Sequence, residues 1–186
     1  DFVQVDSTVA SPSQASPSKD YWEFSFTNTA ATSLTVTKKW AVPASFNNGN
    51  LPDVIAEIWR TTEKIEEDTE VPDLSSEHTE RVAEDKIHTV EEPEYQLTVI
   101  LTKESLKKTI EGLPKYDENG DAYTYFALER GIGIEGGEVT NENKRSTTEL
   151  EGISSIHHSH DKMENTFATT IYTIGSFDLT GTKTWK

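Results

Sequence analysis

The chain has no cysteine. That excludes disulfides, thiolate metal ligands and a cysteine nucleophile together. Basic residues are scarce, 17 Lys and Arg against 33 Asp and Glu for a formal charge of −16. No basic run outweighs the acids locally, so a nucleic-acid phosphate backbone is excluded as a partner. Long apolar runs are missing too, which leaves no candidate for membrane insertion within this chain and no signal-peptide core. Asn28 and Asn165 are each followed at once by Thr, one position too early for an N-glycosylation acceptor. Sustained helical periodicity is also absent. With 33% hydrophobic and 27% charged residues in 186, what remains is a folded chain with long polar surfaces and room for one sizeable core or two small ones.

The pattern that is present is short and alternating. The stretch Leu34-Thr-Val-Thr-Lys-Lys-Trp40 nearly recurs as Leu179-Thr-Gly-Thr-Lys-Thr-Trp185. The residues ahead of each copy also correspond, since Asn28 precedes Lys38 as Thr173 precedes Lys183, and the offset from Asn28 to Thr173 equals that from Lys38 to Lys183, 145 residues. This is the signature of a stacked array. Residues 1–30 read as the tail of a preceding repeat or a linker, 31–174 as one complete unit, and 175–186 as the first strand of a following unit. Asn28 and Lys183 are then repeat-end counterparts that belong to neighbouring units.

Within the unit, Trp22, Phe24 and Phe26 alternate ahead of the first lysine strand, and Leu34, Val36 and Lys38 share its inward face. That puts an amine where the pattern wants an apolar group. Asn47 to Asn50 is turn chemistry, followed by a strand through Val54, Ala56 and Ile58 into Trp59. The acidic stretch 61–94 reads as an insertion with a short helix over Ser76 to Lys86, capped by Ser76. Tyr95 to Leu101 alternates as a strand, and Leu113 to Gly120 is an extended segment closed by a turn. On the strand Tyr123 to Glu129, the residues Tyr125, Ala127 and Glu129 fall on one face, so a carboxylate also points inward. Residues 131–161 read as a long loop or a loose hairpin and Phe167 to Thr173 as the last strand. Short strands and frequent turns predict an all-β sandwich or a partly open barrel in which only the insertion adds helix.

Four segments together resemble a known family: Val36-Thr-Lys-Lys-Trp40, Leu51-Pro-Asp-Val54, Gly112-Leu-Pro-Lys-Tyr-Asp-Glu-Asn-Gly120 and Tyr123-Thr-Tyr-Phe-Ala-Leu-Glu129. They are similar to the CnaB domain, the B-type repeat of the collagen adhesin found in Gram-positive surface adhesins and pilins. The resemblance implies an inverse-immunoglobulin-like β-sandwich that serves as a stalk or spacer on the extracellular, cell-wall-anchored part of such a protein. Its partners would be neighbouring repeats, with a host or matrix ligand as a further one. It also implies an intramolecular Lys–Asn isopeptide bond promoted by a buried acid, which carries over here to Lys38 and Glu129. Burial disfavours the charged amine, freeing its lone pair, and lets the acid polarise the amide carbonyl. The third position departs from the pattern, because Thr173 stands where the family has Asn. A hydroxyl is no electrophile. Either the chemistry ends there, leaving a buried ion pair, or Asn165 supplies the amide through a shifted register.

Other motifs have plainer readings. His157, His158 and His160 carry metal-ligand chemistry, yet nothing in the sequence closes a coordination shell around them. Asp117-Glu-Asn-Gly-Asp121 has the composition of a calcium loop, but its glycine is fourth and not sixth, so it reads as a β-turn. Four tryptophans, Trp22, Trp40, Trp59 and Trp185, fit packing better than a carbohydrate platform. No nucleophile–base–acid arrangement for turnover emerges, and no cofactor is called for. The alternative to a spacer is an adhesive module that binds a host or matrix ligand through its loop insertions.

Overall fold

The computed structural model describes residues 2–6, 27–42, 51–83, 97–133, 146–149, 152–163 and 166–176. Nine β-strands run through them: β1 Phe2–Asp6, β2 Thr27–Ala41, β3 Val54–Thr61, β4 Thr79–Arg81, β5 Thr98–Leu101, β6 Lys107–Pro114, β7 Thr124–Ile132, β8 Ile153–Met163 and β9 Thr166–Gly175. They form two sheets. In the first, β2 pairs with β9 in parallel and with β6 and β1 antiparallel, while β8 pairs antiparallel with β9. In the second, β7 runs antiparallel along the whole of β3, whose other partners β5 and β4 meet it at Val54–Glu57 and Trp59–Thr61 respectively. The expected all-β sandwich is what the chain builds.

Period-2 alternation explains the core. Leu34 and Val36 on β2, Val54, Ala56 and Ile58 on β3, Tyr125 and Ala127 on β7, and Phe167 and Ile171 on β9 close one apolar cluster between the sheets. β3 and β7 carry more than alternation predicts, because Ile55, Phe126 and Leu128 on their opposite faces are buried as well.

The edge of β7 away from β3 is tied to the first sheet by side chains. The Ala127 N–H donates to the Thr169 hydroxyl on β9 (3.0 Å), and the Glu129 N–H to Nε2 of His158 on β8 (3.1 Å). Unpaired backbone donors in this position would each cost about 1–3 kcal/mol. Side chains of one sheet thus take up edge donors of the other.

Three expectations are corrected. The helix over Ser76 to Lys86 does not form, and the described residues contain no α-helix. Ser76 instead caps a single turn, its hydroxyl accepting from the His78 N–H (3.2 Å) and its carbonyl from the Thr79 N–H (3.0 Å). Thr79 then enters β4, its hydroxyl bonded to that of Thr61. Pairing with β3 and burial of Val82 outweigh a helix held only by a cap and acidic residues; residues 84–86 lie outside the described ones. The stretch 131–161 is not one long loop, since β7 continues to Ile132 and β8 begins at Ile153. The third correction concerns the first strands. The boundary drawn at residues 30 and 31 falls inside β2, which runs unbroken from Thr27. Asn28 lies on it opposite Gln4 of β1.

Candidate buried lysine–acid site

Lys38 follows Thr32, Leu34 and Val36 on the inward face of β2, and its burial follows from register. In the parallel β2–β9 ladder Lys38 lies beside Ile171 and Trp40 beside Thr173, so the lysine amine and the threonine hydroxyl meet on the core side of two adjacent strands. Glu129 arrives from β7 in the opposite sheet. The Lys38 ammonium donates to Oε2 of Glu129 and to the Thr173 hydroxyl, and both ionic side chains are closed off, with relative exposures of 0% and 1%. The indole of Trp40 lies 4.4 Å from Nζ, measured to the ring centroid. This face of the amine therefore meets an electron-rich ring in place of water.

Burial pushes the Lys38 amine below its ordinary pKa, against the opposing pull of the Glu129 charge and hydrogen bond. Desolvation thus outweighs the ion pair in this balance and favours the neutral amine over the ammonium. Thr147, in a short 3-10 turn at Thr147–Glu149, donates its hydroxyl to the other oxygen of Glu129, Oε1, and is itself 1% exposed. His158 holds the backbone of the same residue. That acceptor role at Nε2 places the imidazole proton on Nδ1. Burial first, and then the nearby charges of His160 and Lys38, bring the His158 pKa down to about 4, so the ring is neutral at pH 7.

The inward placements of Lys38 and Glu129 follow the period-2 reading, and the structure brings Thr173 to the same point. The sequence pattern marks neither supporting side chain for this role, since Thr147 sits in an unpatterned segment and His158 in a stretch without apolar alternation. The histidines belong to a strand. His160 donates from Nε2 to the Glu70 carbonyl (2.9 Å), its Nδ1 lies 3.0 Å from the Thr169 hydroxyl, and Nδ1 of His157 lies 2.9 Å from the Glu70 carboxylate. They pin the 61–94 insertion to β8, and among the described residues no cluster fit to hold a metal ion forms. Asn165 and Lys183 lie outside the described residues. The Asp117 turn is as expected: its carboxylate accepts from the N–H groups of Asn119 (2.9 Å) and Asp121 (2.7 Å), and Gly120 takes φ 91°.

No protein-family profile and no characterised protein sequence matches this chain. Solved structures do. A single B repeat unit of the collagen-binding surface protein of Staphylococcus aureus aligns at 17% identity and a TM-score of 0.38, over 76% of this chain and 50% of that one. The chain resembles that B repeat. The pilus adhesin SpaC of Lactobacillus rhamnosus GG aligns at 16% identity and a TM-score of 0.37, over 79% of this chain and 13% of its own. The chain therefore spans half or less of these two structures.

Proposed function

We propose that this chain is a structural spacer repeat of a cell-wall-anchored surface protein of the adhesin or pilin kind, carrying a cross-linking site from which the electrophile has been lost. The observation behind the reading is the convergence of Lys38, Glu129 and Thr173 in the core. Together they join β2, β9 and the opposite sheet at the point where the family resemblance puts a lysine, an acid and an asparagine. With a hydroxyl at position 173 the amine finds no amide carbonyl there to attack. The site then works as a buried polar clasp among three strands.

Intact mass spectrometry tests this. The chain should show its full calculated mass, and Thr173→Asn should lose about 17 Da, one ammonia, as Nζ of Lys38 bonds to the new side-chain carbon and the amide nitrogen leaves. Glu129→Gln in that background abolishes the loss. A native chain already short by one ammonia would sink the reading and direct attention to Asn165.

A second reading, the adhesive module, has one feature in its favour. A cavity of about 400 Å³ opens between the insertion and the sandwich, lined among others by Ile65, Glu66, Tyr125, His160 and Phe167. Its mixed apolar and acidic wall lies at a loop insertion on a rigid scaffold, where ligand sites are commonly built.

A further inference from the structure

We infer that Thr147 and His158 are positioning residues for Glu129, holding it as a pre-aimed proton carrier for chemistry between Lys38 and position 173. The inference rests on the reading of the site as an interrupted cross-link and adds two residues to it.

The argument starts from the two oxygens of one buried carboxylate. Oε1 accepts from the Thr147 hydroxyl, and Oε2 accepts from Lys38. A hydroxyl whose hydrogen is committed to Oε1 keeps that oxygen an acceptor. A proton handed over by Lys38 therefore resides on Oε2, the oxygen facing both the amine and residue 173. Without Thr147 the acid could carry its proton on either oxygen, and half of those states point away from the reacting atoms. Such orientation is worth most in a water-excluded site, where no solvent re-routes a misplaced proton.

The backbone of Glu129 is fixed independently. Among the described residues no strand pairs with this edge of β7, and Nε2 of His158 takes up the Glu129 N–H. A neutral ring suits the task, since a second proton on Nε2 would remove the acceptor and set a cation against Lys38. Among the described residues, the charged and titratable groups around the site are Lys38 on β2, Glu129 on β7, and His157, His158 and His160 on β8. Glu70 of the insertion lies beyond them, bonded to His157 and His160.

The chemistry is read out by restoring the electrophile. Thr173→Asn is made alone and combined with Thr147→Val, Thr147→Ser, His158→Phe or His158→Gln. Each chain is collected unreacted in urea from inclusion bodies, refolded by dilution between pH 5 and pH 9, and sampled by intact mass. Bond formation is the loss of one ammonia.

Thr147→Val slows the loss roughly tenfold or more, a fraction of what a positioned acid contributes. Thr147→Ser, which keeps the hydroxyl, restores both the rate and its pH profile. His158→Phe slows the reaction, and His158→Gln, which keeps an acceptor, recovers most of it. Because the two positions lie on separate elements, a Thr147→Val chain that does not refold leaves the His158 pair to decide. Thr173→Asn reacting at the same rate and with the same pH profile in every background overturns the inference while leaving the cross-link reading intact. Failure of Thr173→Asn to react in any background overturns both.

Discussion

Removing one partner of the buried pair should cost far more than removing both. Lys38→Met strips the amine and leaves the Glu129 carboxylate in the core with Thr147 as its remaining side-chain donor. Glu129→Leu leaves an ammonium whose remaining neighbours are the Thr173 hydroxyl and the Trp40 ring. With side chains at 0% and 1% exposure, neither stranded charge reaches water, so each single variant loses about 3–5 kcal/mol, the usual cost of orphaning a buried ion. The double variant Lys38→Met/Glu129→Leu replaces two desolvated charges with apolar groups of similar volume and falls within about 2 kcal/mol of the parent. Urea unfolding followed by tryptophan fluorescence supplies the four stabilities, with the denaturant slope checked for constancy across the set. The coupling energy then exceeds about 3 kcal/mol, well above the 0.5 kcal/mol scatter of independent sites. Single variants that cost under about 1 kcal/mol would show a pair that reaches solvent, and the reasoning would fail. Strictly additive losses would refute it as well.

Acid should weaken the fold earlier than its carboxylates alone would dictate. The folded pKa of His158, about 4 against an ordinary 6.5, means that the unfolded chain binds a proton in this window that the folded chain does not. Stability is therefore full above pH 6.5 and falls as pH drops towards 4, by up to about 3 kcal/mol and nearer 2 after allowance for partial solvation of the ring. Burial lowers His160 in the same direction. Melting curves between pH 7 and pH 4.5 should be distinctly flatter for His158→Gln than for the parent, and parallel curves would contradict the assignment. Thr169→Val keeps the shape of β9 but leaves the Ala127 N–H and Nδ1 of His160 without their hydroxyl partner. It should cost about 1–3 kcal/mol in urea unfolding, and a loss within 0.5 kcal/mol would mean the β7 edge is satisfied some other way.

Much of this arrangement was legible in the chain. Leu34, Val36 and Lys38 on one strand and Tyr125, Ala127 and Glu129 on another announce themselves through period-2 alternation, because a sandwich buries one face and the charged residue at the wrong parity stands out. The Asp117 turn was readable for a similarly local reason: a side chain bonding to its own backbone needs no distant partner. Strands whose pairing supplies the reason for their existence were not readable. β6 exposes Lys107, Lys108, Thr109 and Glu111 and buries only Leu113 deeply, so it lacks an apolar rhythm and owes its conformation to β2. The polar β8 is ordered in the same way by its ladder to β9, which turned an expected loop into the strand that presents His158. The Ser76 segment failed in the opposite sense, as local cap chemistry was overridden by pairing with β3.

Sequence alone determined the all-β class, the inward parity of Lys38 and Glu129, and the absence of an amide at position 173, for these depend on residue type and on a two-residue period. Only the tertiary structure decided that the amine, the acid and the hydroxyl converge. It also decided that Thr147 takes the second carboxylate oxygen and that His158 closes the edge of β7. Those contacts join groups 91 and 135 residues apart from Lys38 and 18 and 29 residues from Glu129. Their geometry is set by sheet register and by the packing of one sheet on the other, which no local pattern encodes.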